Sequence, residues 1–521
     1  MANNNSYDKF KAVKKQRLND FDVNLECSIN LETTEQVNKI LAVNSIATIG
    51  NIEELTGEAT VNGSVQVSLV YLTEQGLVCN ASYTSPFITK VIDTKINPNS
   101  KVFCKVAQAD SKVQSVNNNV AKVDCYLNLK AYVINSEEVT YLNGVAENVC
   151  TLTEQTDYCM LKGVTNSVWT ESLETEVKEE VKQVISCFSE AIVKQVEPQD
   201  NCIELTCEIV NTVMYLTSEN EIKTVYFKND AKQDIECEFC DKKSLVEIDL
   251  KVDQNNVKNS INNAEGGIKI SIDVPLTVCA KVYCNNNINL IADLYSTQDI
   301  TNSTMVSYEN SIVCEPIVFE KKIEGSLSLS ADEPRIDKLL SVNYSKAIVT
   351  NEYLENGEYT VSGVVSSNLI YYNQDDAVVN SIDVEFPFVI GTKTDLEGEL
   401  LTDFDVLVED VDVMVKKGKD VYIDAAIKVR TTVCKTTRGV VMSDVEYSEP
   451  LPLKDCAIEI YFAKAGEKVW DIAKKLFVTP ETIYMQNPNI QEILENDEKL
   501  AIYYKLNLEN NIWYIFDINS Y

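Results

Sequence analysis

The 521-residue chain contains no histidine. Without imidazole it can build no Ser–His or Cys–His nucleophile, no His-ligated zinc site and no imidazole acid–base pair. Many hydrolases and metalloenzymes fall away, leaving carboxylate, lysine and thiol chemistry. Positive charge is scarce as well: 46 Lys and Arg stand against 80 Asp and Glu, a formal charge of −34. Such an anionic chain has no general attraction for nucleic acid or an acidic lipid surface. A basic or neutral protein partner suits it better. No run of about 18 apolar residues occurs, so no transmembrane segment is expected. The opening MANNNSYDKFKAVKKQRLND is cationic but lacks the apolar core of a secretory signal. With no such signal, the 16 cysteines point to thiols in a reducing cytosol. No Gly-x-x-x-x-Gly-Lys-Ser/Thr is found, so a Walker-type ATPase is unsupported. Glycine (16) and proline (11) are few, and asparagine-rich turns such as Asn117 to Asn119 and Asn285 to Asn287 carry much of the punctuation.

What is present is an ordinary globular composition, 45% apolar and 24% charged, enough for large cores. At ~150 residues per domain the length suggests three or four domains. Internal repetition organises the chain. The run Val61, Gly63, Val65, Leu69, Tyr71 returns at identical spacing as Val361, Gly363, Val365, Leu369, Tyr371. A looser copy lies between them: Leu205, Cys207, Ile209, Val213, Tyr215. An alanine precedes each run at the same distance (Ala47, Ala191, Ala347). An apolar block lies upstream of each alanine: Val37/Ile40/Leu41, Val181/Val184/Ile185 and Ile336/Leu339/Leu340.

Val61, Val65, Val67, Leu69 and Tyr71 share one parity, which places them on one face of a strand. A second alternating strand follows in each copy, at Val123–Val133, Ile268–Val278 and Val421–Val433. Two antiparallel layers bury such faces most economically. The fold class expected is mainly β: three repeated antiparallel, sandwich-like domains over 21–160, 168–305 and 318–450, after a basic N-terminal arm over 1–20. Residues 173–185 also carry apolar residues about four apart, so a helix is the alternative there.

The character changes near residue 457. Val469, Ile472, Ala473 and Leu476 follow i, i+3, i+4, i+7 spacing, one apolar helical face. Thr479-Pro480 reads as an N-cap followed by proline at the first helical position. Strands flank these helices at Ile458–Lys464 and Leu500–Tyr504, giving a small βααβ unit over 457–506. An aromatic tail follows over 507–521, with the run Ile512 to Phe516 of high β propensity. It either packs as an extra strand or is presented to a partner.

The segment YFAKAGEKVWDIAKKLFVTPETIYMQNPNI, continued to NDEKLAIY, resembles a LysM domain. The matching positions are Gly466, Trp470, Ile472, Ala473, Val478, Asn487, Pro488, Asn489 and Leu500. LysM domains usually bind N-acetylglucosamine polymers in a groove between the first turn and the loop before the last strand. Those elements correspond here to Ala465–Val469 and Asn487–Asn496. Where the family has Asp-Thr or Asp-Ser after the glycine, this chain has Glu467 and Lys468, and a long cation at the groove lip suits a protein partner. Three β repeats followed by one LysM is similar to the SipL-like family of clostridial spore-coat morphogenetic proteins, whose repeats are of the SPOCS type. The resemblance implies a non-enzymatic scaffold without cofactor or metal. It would act in the mother-cell cytosol at the forespore surface and become part of the spore coat. Its LysM would bind a SpoIVA-like coat ATPase, and the repeats would contact other coat proteins. The alternative is a peptidoglycan-binding wall protein.

The residues expected to contact the partner are Ile458, Gly466, Glu467, Lys468, Trp470, Lys474, Asn487 and Pro488. Trp470 is either a core residue of the first helix or an anchor at the groove edge, tryptophan being enriched in hot spots. Lys468, Lys474 and Lys475 are either a solvated face or a cationic patch that orients an acidic partner. Cys237-x-x-Cys240 has no second pair and no histidine to complete a zinc site, so structural thiols are expected. Cys125 shares the parity of its strand's apolar residues and reads as a small buried hydrophobe. The acidic runs Glu174–Glu180 and Asp403–Asp412 read as solvated faces, the alternative being a paired-carboxylate hydrolase.

Overall fold

A computed structural model describes residues 5–504 apart from 32, 34, 35, 118, 265, 266, 315, 375–377, 396–399, 453 and 455. The tail at 507–521, including Ile512 to Phe516, lies outside the described residues. The protein is mainly β, and its sheets are antiparallel.

The first stretch holds β1 (Ser6–Arg17), β2 (Phe21–Asn30), β3 (Val37–Leu55), β4 (Glu58–Thr73), β5 (Val78–Ile92), β6 (Lys101–Asn117) and β7 (Val120–Gly144). They form a three-stranded sheet β3-β4-β5 and a four-stranded one in which β1, β2 and β6 all pair with β7. The middle stretch holds β8 (Val149–Val177), β9 (Val181–Gln199), β10 (Cys202–Thr217), β11 (Ile222–Glu236), β12 (Leu245–Val252), β13 (Lys258–Ala264) and β14 (Gly267–Ser296). Here the sheets are β9-β10-β11 and a four-stranded one centred on β14. The next stretch holds β15 (Asp299–Val313), β16 (Ile317–Ser328), β17 (Lys338–Glu355), β18 (Glu358–Asn373), β19 (Val378–Lys393), β20 (Leu400–Lys416) and β21 (Asp420–Pro450), with sheets β17-β18-β19 and one centred on β21. Last come β22 (Ile458–Ala463), α1 (Val469–Leu476), α2 (Pro480–Gln486) and β23 (Glu498–Tyr503), with β22 paired to β23.

The period-two pattern produces the layers. Val61, Val65, Val67, Leu69 and Tyr71 are all 0% exposed. They share one core with Val123, Cys125, Leu127 and Leu129 of β7, which joins the two sheets of the first stretch face to face. Two further cores join the sheets of the middle and third stretches in the same way. Cys125 is buried there, and burial pushes its thiol up to about 12, so it behaves as a small hydrophobe.

Two points that the sequence left open, and one expected boundary, can be read from the structure. The basic N-terminal arm folds: Ser6–Arg17 is a strand along β7, and Lys15 is buried. Residues 173–185 are not helical. They end β8 and begin β9, with Leu173, Val177, Val181 and Ile185 buried. The sheets also divide earlier than expected: β8 starts at Val149 and pairs with β14, and β15 starts at Asp299 and pairs with β21.

The three two-layered units touch through further shared clusters. One gathers Leu41, Val70 and Val78 with Ile185, Met214 and Ile222 and with Ile370. Others gather Phe10 and Tyr141 with Leu290 and with Tyr308 and Val441, and Val13 and Ile134 with Cys159, Tyr283 and Cys434. Cys237 and Cys240 sit in the turn between β11 and β12, where the Cys240 N–H donates to the Cys237 carbonyl at 3.0 Å. Among the described residues no helix is long and apolar enough to cross a membrane.

Candidate partner-binding site

The small C-terminal module has its own core. Val469, Ile472, Ala473 and Leu476, the four positions of the helical stripe, are buried with Ala463, Ile483, Leu494, Leu500 and Ile502. Thr479 caps α2 by accepting the Thr482 N–H at 3.2 Å, with Pro480 in the first turn. Gly466 holds a left-handed φ of 88°, open to glycine without strain, and its N–H donates to the Leu494 carbonyl at 2.7 Å.

The expected contact residues fall on three surfaces. Trp470 and Lys474 lie one turn apart on α1, and both are held by the middle unit. The indole N–H donates to Asp293 Oδ2 at 2.8 Å, and the Lys474 ammonium to Asp293 Oδ1 at 2.6 Å. The Tyr295 ring meets the indole edge-on at 5.1 Å, and the Tyr295 hydroxyl donates to the Val478 carbonyl at 2.6 Å. Burial pushes the Asp293 carboxyl up, but the bonds from Lys474 and Trp470 outweigh it and hold the group below the usual carboxylate range. The pairing of β14 with β8 shifts register between Ile291 and Asp293. Such a bulge re-aims the side chains that follow it.

The turn before α1 is the second surface. Glu467 accepts from the Lys464 N–H at 2.8 Å, the Lys475 ammonium at 2.9 Å and the Tyr461 hydroxyl at 3.0 Å. It therefore braces the turn. Lys468 is exposed and its backbone bridges to Ile493. Asn487 is structural: its amide donates to the Ile483 and Ala501 carbonyls, both at 3.1 Å, and accepts the Ala501 N–H at 2.9 Å. It ties α2 to β23, with Pro488 exposed beside it.

Ile458 lies on the third surface. It is 51% exposed, in a row with Ile460 at 50% and Phe462 at 63% along one face of β22. Tyr503, 50% exposed, is its cross-strand neighbour. Asp293, Tyr295, Ile460, Phe462 and Tyr503 were absent from the sequence expectation. The alternation Ile-x-Ile-x-Phe carried the signal for the row, but a two-stranded sheet does not announce which face its helices cover.

A second concave feature is a cavity of about 440 Å³ where the three units meet. Ala47, Ala191 and Ala347 all line it. Lys105 from β6 reaches Asp405 of β20 at 3.1 Å and Asp249 of β12 at 3.5 Å. Half-buried Glu190 also lines the cavity; burial drives its carboxyl up to about 8 against the pull of the Lys346 charge. Among the described residues no group of three or more Cys, Asp or Glu is placed to hold a metal ion. Comparison with protein-family models, with curated proteins and with solved structures finds no match.

Proposed function

We propose that this chain is a non-enzymatic assembly scaffold of the SipL-like spore-coat family. In this reading the three two-layered units are SPOCS-type repeats, and the C-terminal βααβ module is a LysM adaptor that binds a SpoIVA-like coat ATPase. The complex would help attach the coat to the forespore surface from the mother-cell cytosol, with the repeats adding contacts to other coat proteins. The observation that carries the reading is the apolar row of Ile458, Ile460 and Phe462 beside Tyr503. It lies on a module whose own core is complete without it. Large apolar side chains lined up on a small, well-packed module favour a protein partner over a hydrated polysaccharide. Several modules on one chain also raise effective concentration at a crowded surface.

The test is capture by the full-length chain of the coat ATPase and, separately, of purified peptidoglycan. Ile460→Asp places a charge in the middle of the row without touching the module core. It should weaken ATPase capture at least tenfold, about 1.4 kcal/mol, and leave the melting temperature unchanged. Sedimentation with peptidoglycan that ignores both the ATPase and this substitution would establish the wall-binding alternative instead.

A further inference from the structure

The α1 face of the module, with the tryptophan and lysine that look most like binding anchors, is already occupied by the protein itself. Asp293 spends both carboxylate oxygens there, one on the Trp470 indole and one on the Lys474 ammonium. Two residues on, on the same face of an extended strand, Tyr295 supplies the ring edge and a hydroxyl that donates to the carbonyl of Val478. Tyr295 is buried and packs into the module's own core although it belongs to the middle unit. The α1 face is thus met by one carboxylate, one ring edge and one hydroxyl, all from a single extended strand.

The contact is also built to let go. Asp293 and Lys474 keep side-chain exposures of 34% and 42%, so water and salt weaken the ion pair. Beside them the junction opens into a cleft lined by Ile300, Leu451, Asp471 and Phe477, so packing is incomplete. The buried Tyr295 ring is the apolar centre of this contact and the Asp293–Lys474 pair its solvent-facing rim, and interfaces between units of one chain permit relative motion unless they are large and hydrophobic.

We propose that the Asp293-x-Tyr295 tip of β14 is an internal pseudo-ligand. It covers the α1 face of the C-terminal module, and an external protein engages that face by presenting the same chemistry: a carboxylate two residues before an aromatic ring on an extended strand. The external strand and the tip compete for Trp470 and Lys474. This rests on the module being a protein-binding adaptor and adds how its second face is gated. Apparent affinity then equals intrinsic affinity scaled by the undocked fraction.

The experiment uses the full-length chain and two substitutions, Asp293→Lys, which sets a cation against Lys474, and the isosteric Asp293→Asn. The indole N–H resonance of Trp470, assigned with Trp470→Phe, reports docking without reference to any partner. Both variants should move that resonance toward its solvent-exposed position, Asp293→Lys further. A synthetic peptide of this chain's own sequence Asn289–Gln298, at millimolar concentration, should move it back in the Asp293→Lys chain. The same peptide with asparagine for its aspartate should not. In parallel, Asp293→Lys should tighten ATPase capture about five- to tenfold, for a tip docked some 80–90% of the time, and adding Trp470→Ala should cancel the gain. An unmoved resonance, a peptide without effect, or a released module with unchanged capture overturns the pseudo-ligand. Absent capture by every form, with the resonance and the peptide behaving as expected, removes the ATPase reading and leaves the internal competition standing.

Discussion

The same carboxyl group meets opposite environments at Glu190 and Glu247. Glu247 is buried, yet it accepts the Lys15 and Lys281 ammoniums at 3.0 Å each and the Tyr283 hydroxyl at 3.1 Å. Burial alone would raise its pKa, but the two cations hold it far below the ordinary value of 4.5. Its contribution to stability is therefore present above pH 4.5 and is lost as the solution is acidified below that. Glu190 has the reverse sign. Raised to about 8, it keeps a proton in the folded state that the unfolded chain has released above pH 4.5. Its stabilisation is full below 4.5 and lost as pH rises through about 8. Glu190→Gln, which mimics the protonated acid, should raise the melting temperature by a few degrees at pH 9 and leave it unchanged at pH 4. Calorimetry at the two pH values checks this, and equal shifts at both would show that the proton is irrelevant. At this scale the sequence reveals residue type but not environment. Trp470 stood out as either a core residue or an anchor because of what tryptophan is. Asp293 did not, because it lies 177 residues from its partner and is one of many carboxylates in an acidic chain.

Among the elements, the strands were the most legible feature, since parity alone identifies Val61 to Tyr71 as one buried face. The ambiguity at 173–185 has a plain cause. Leu173, Val177, Val181 and Ile185 are spaced by four, a multiple of two that also lies close to the 3.6-residue turn of a helix. Less legible was why Gly63 and Gly363 recur while Cys207 stands between them. Gly63 lies opposite Phe87 and Gly363 opposite Phe388, whereas Cys207 lies opposite Ala231. The larger cross-strand partner goes with the smaller residue each time. A Cβ on Gly63 would sit 2.4 Å from the Phe87 ring and 2.7 Å from the Thr48 carbonyl oxygen, so the glycine is there for close approach. Gly63→Ala should destabilise the protein by about 1–3 kcal/mol. Combined with Phe87→Ala, the loss should fall short of the sum of the two single changes because the ring clash is gone. Urea denaturation of the four proteins measures the coupling, and strict additivity would dismiss this explanation.

At the scale of the whole molecule, the sequence suggested three similar stretches but not how they would meet. Leu41 and Ile185 belong to apolar blocks visible in the sequence. What they pack against, each other together with Ile370, depends on contacts across hundreds of residues. Charges at the junctions complement one another. Lys428 of β21 lies 2.7 Å from Glu208 of β10 and 2.5 Å from Glu409 of β20. Lys194 and Lys228 flank the pair at 3.3 and 3.0 Å. Burial raises the Glu208 carboxyl, but the bond from Lys428 leads the forces that bring it down to about 2. Lys428 thus bridges two buried carboxylates, one from the middle unit and one from the third. Lys428→Met retains the packing volume and removes the cation. The two buried carboxyl groups then lose the cation between them, at a cost of roughly 3–5 kcal/mol. That loss falls on the junction rather than on either core. Calorimetry near pH 7 should therefore show the middle and third units unfolding together in the unmodified chain and at separate temperatures in the variant. A variant that unfolds in one unshifted transition would mean that the apolar contacts alone join the units.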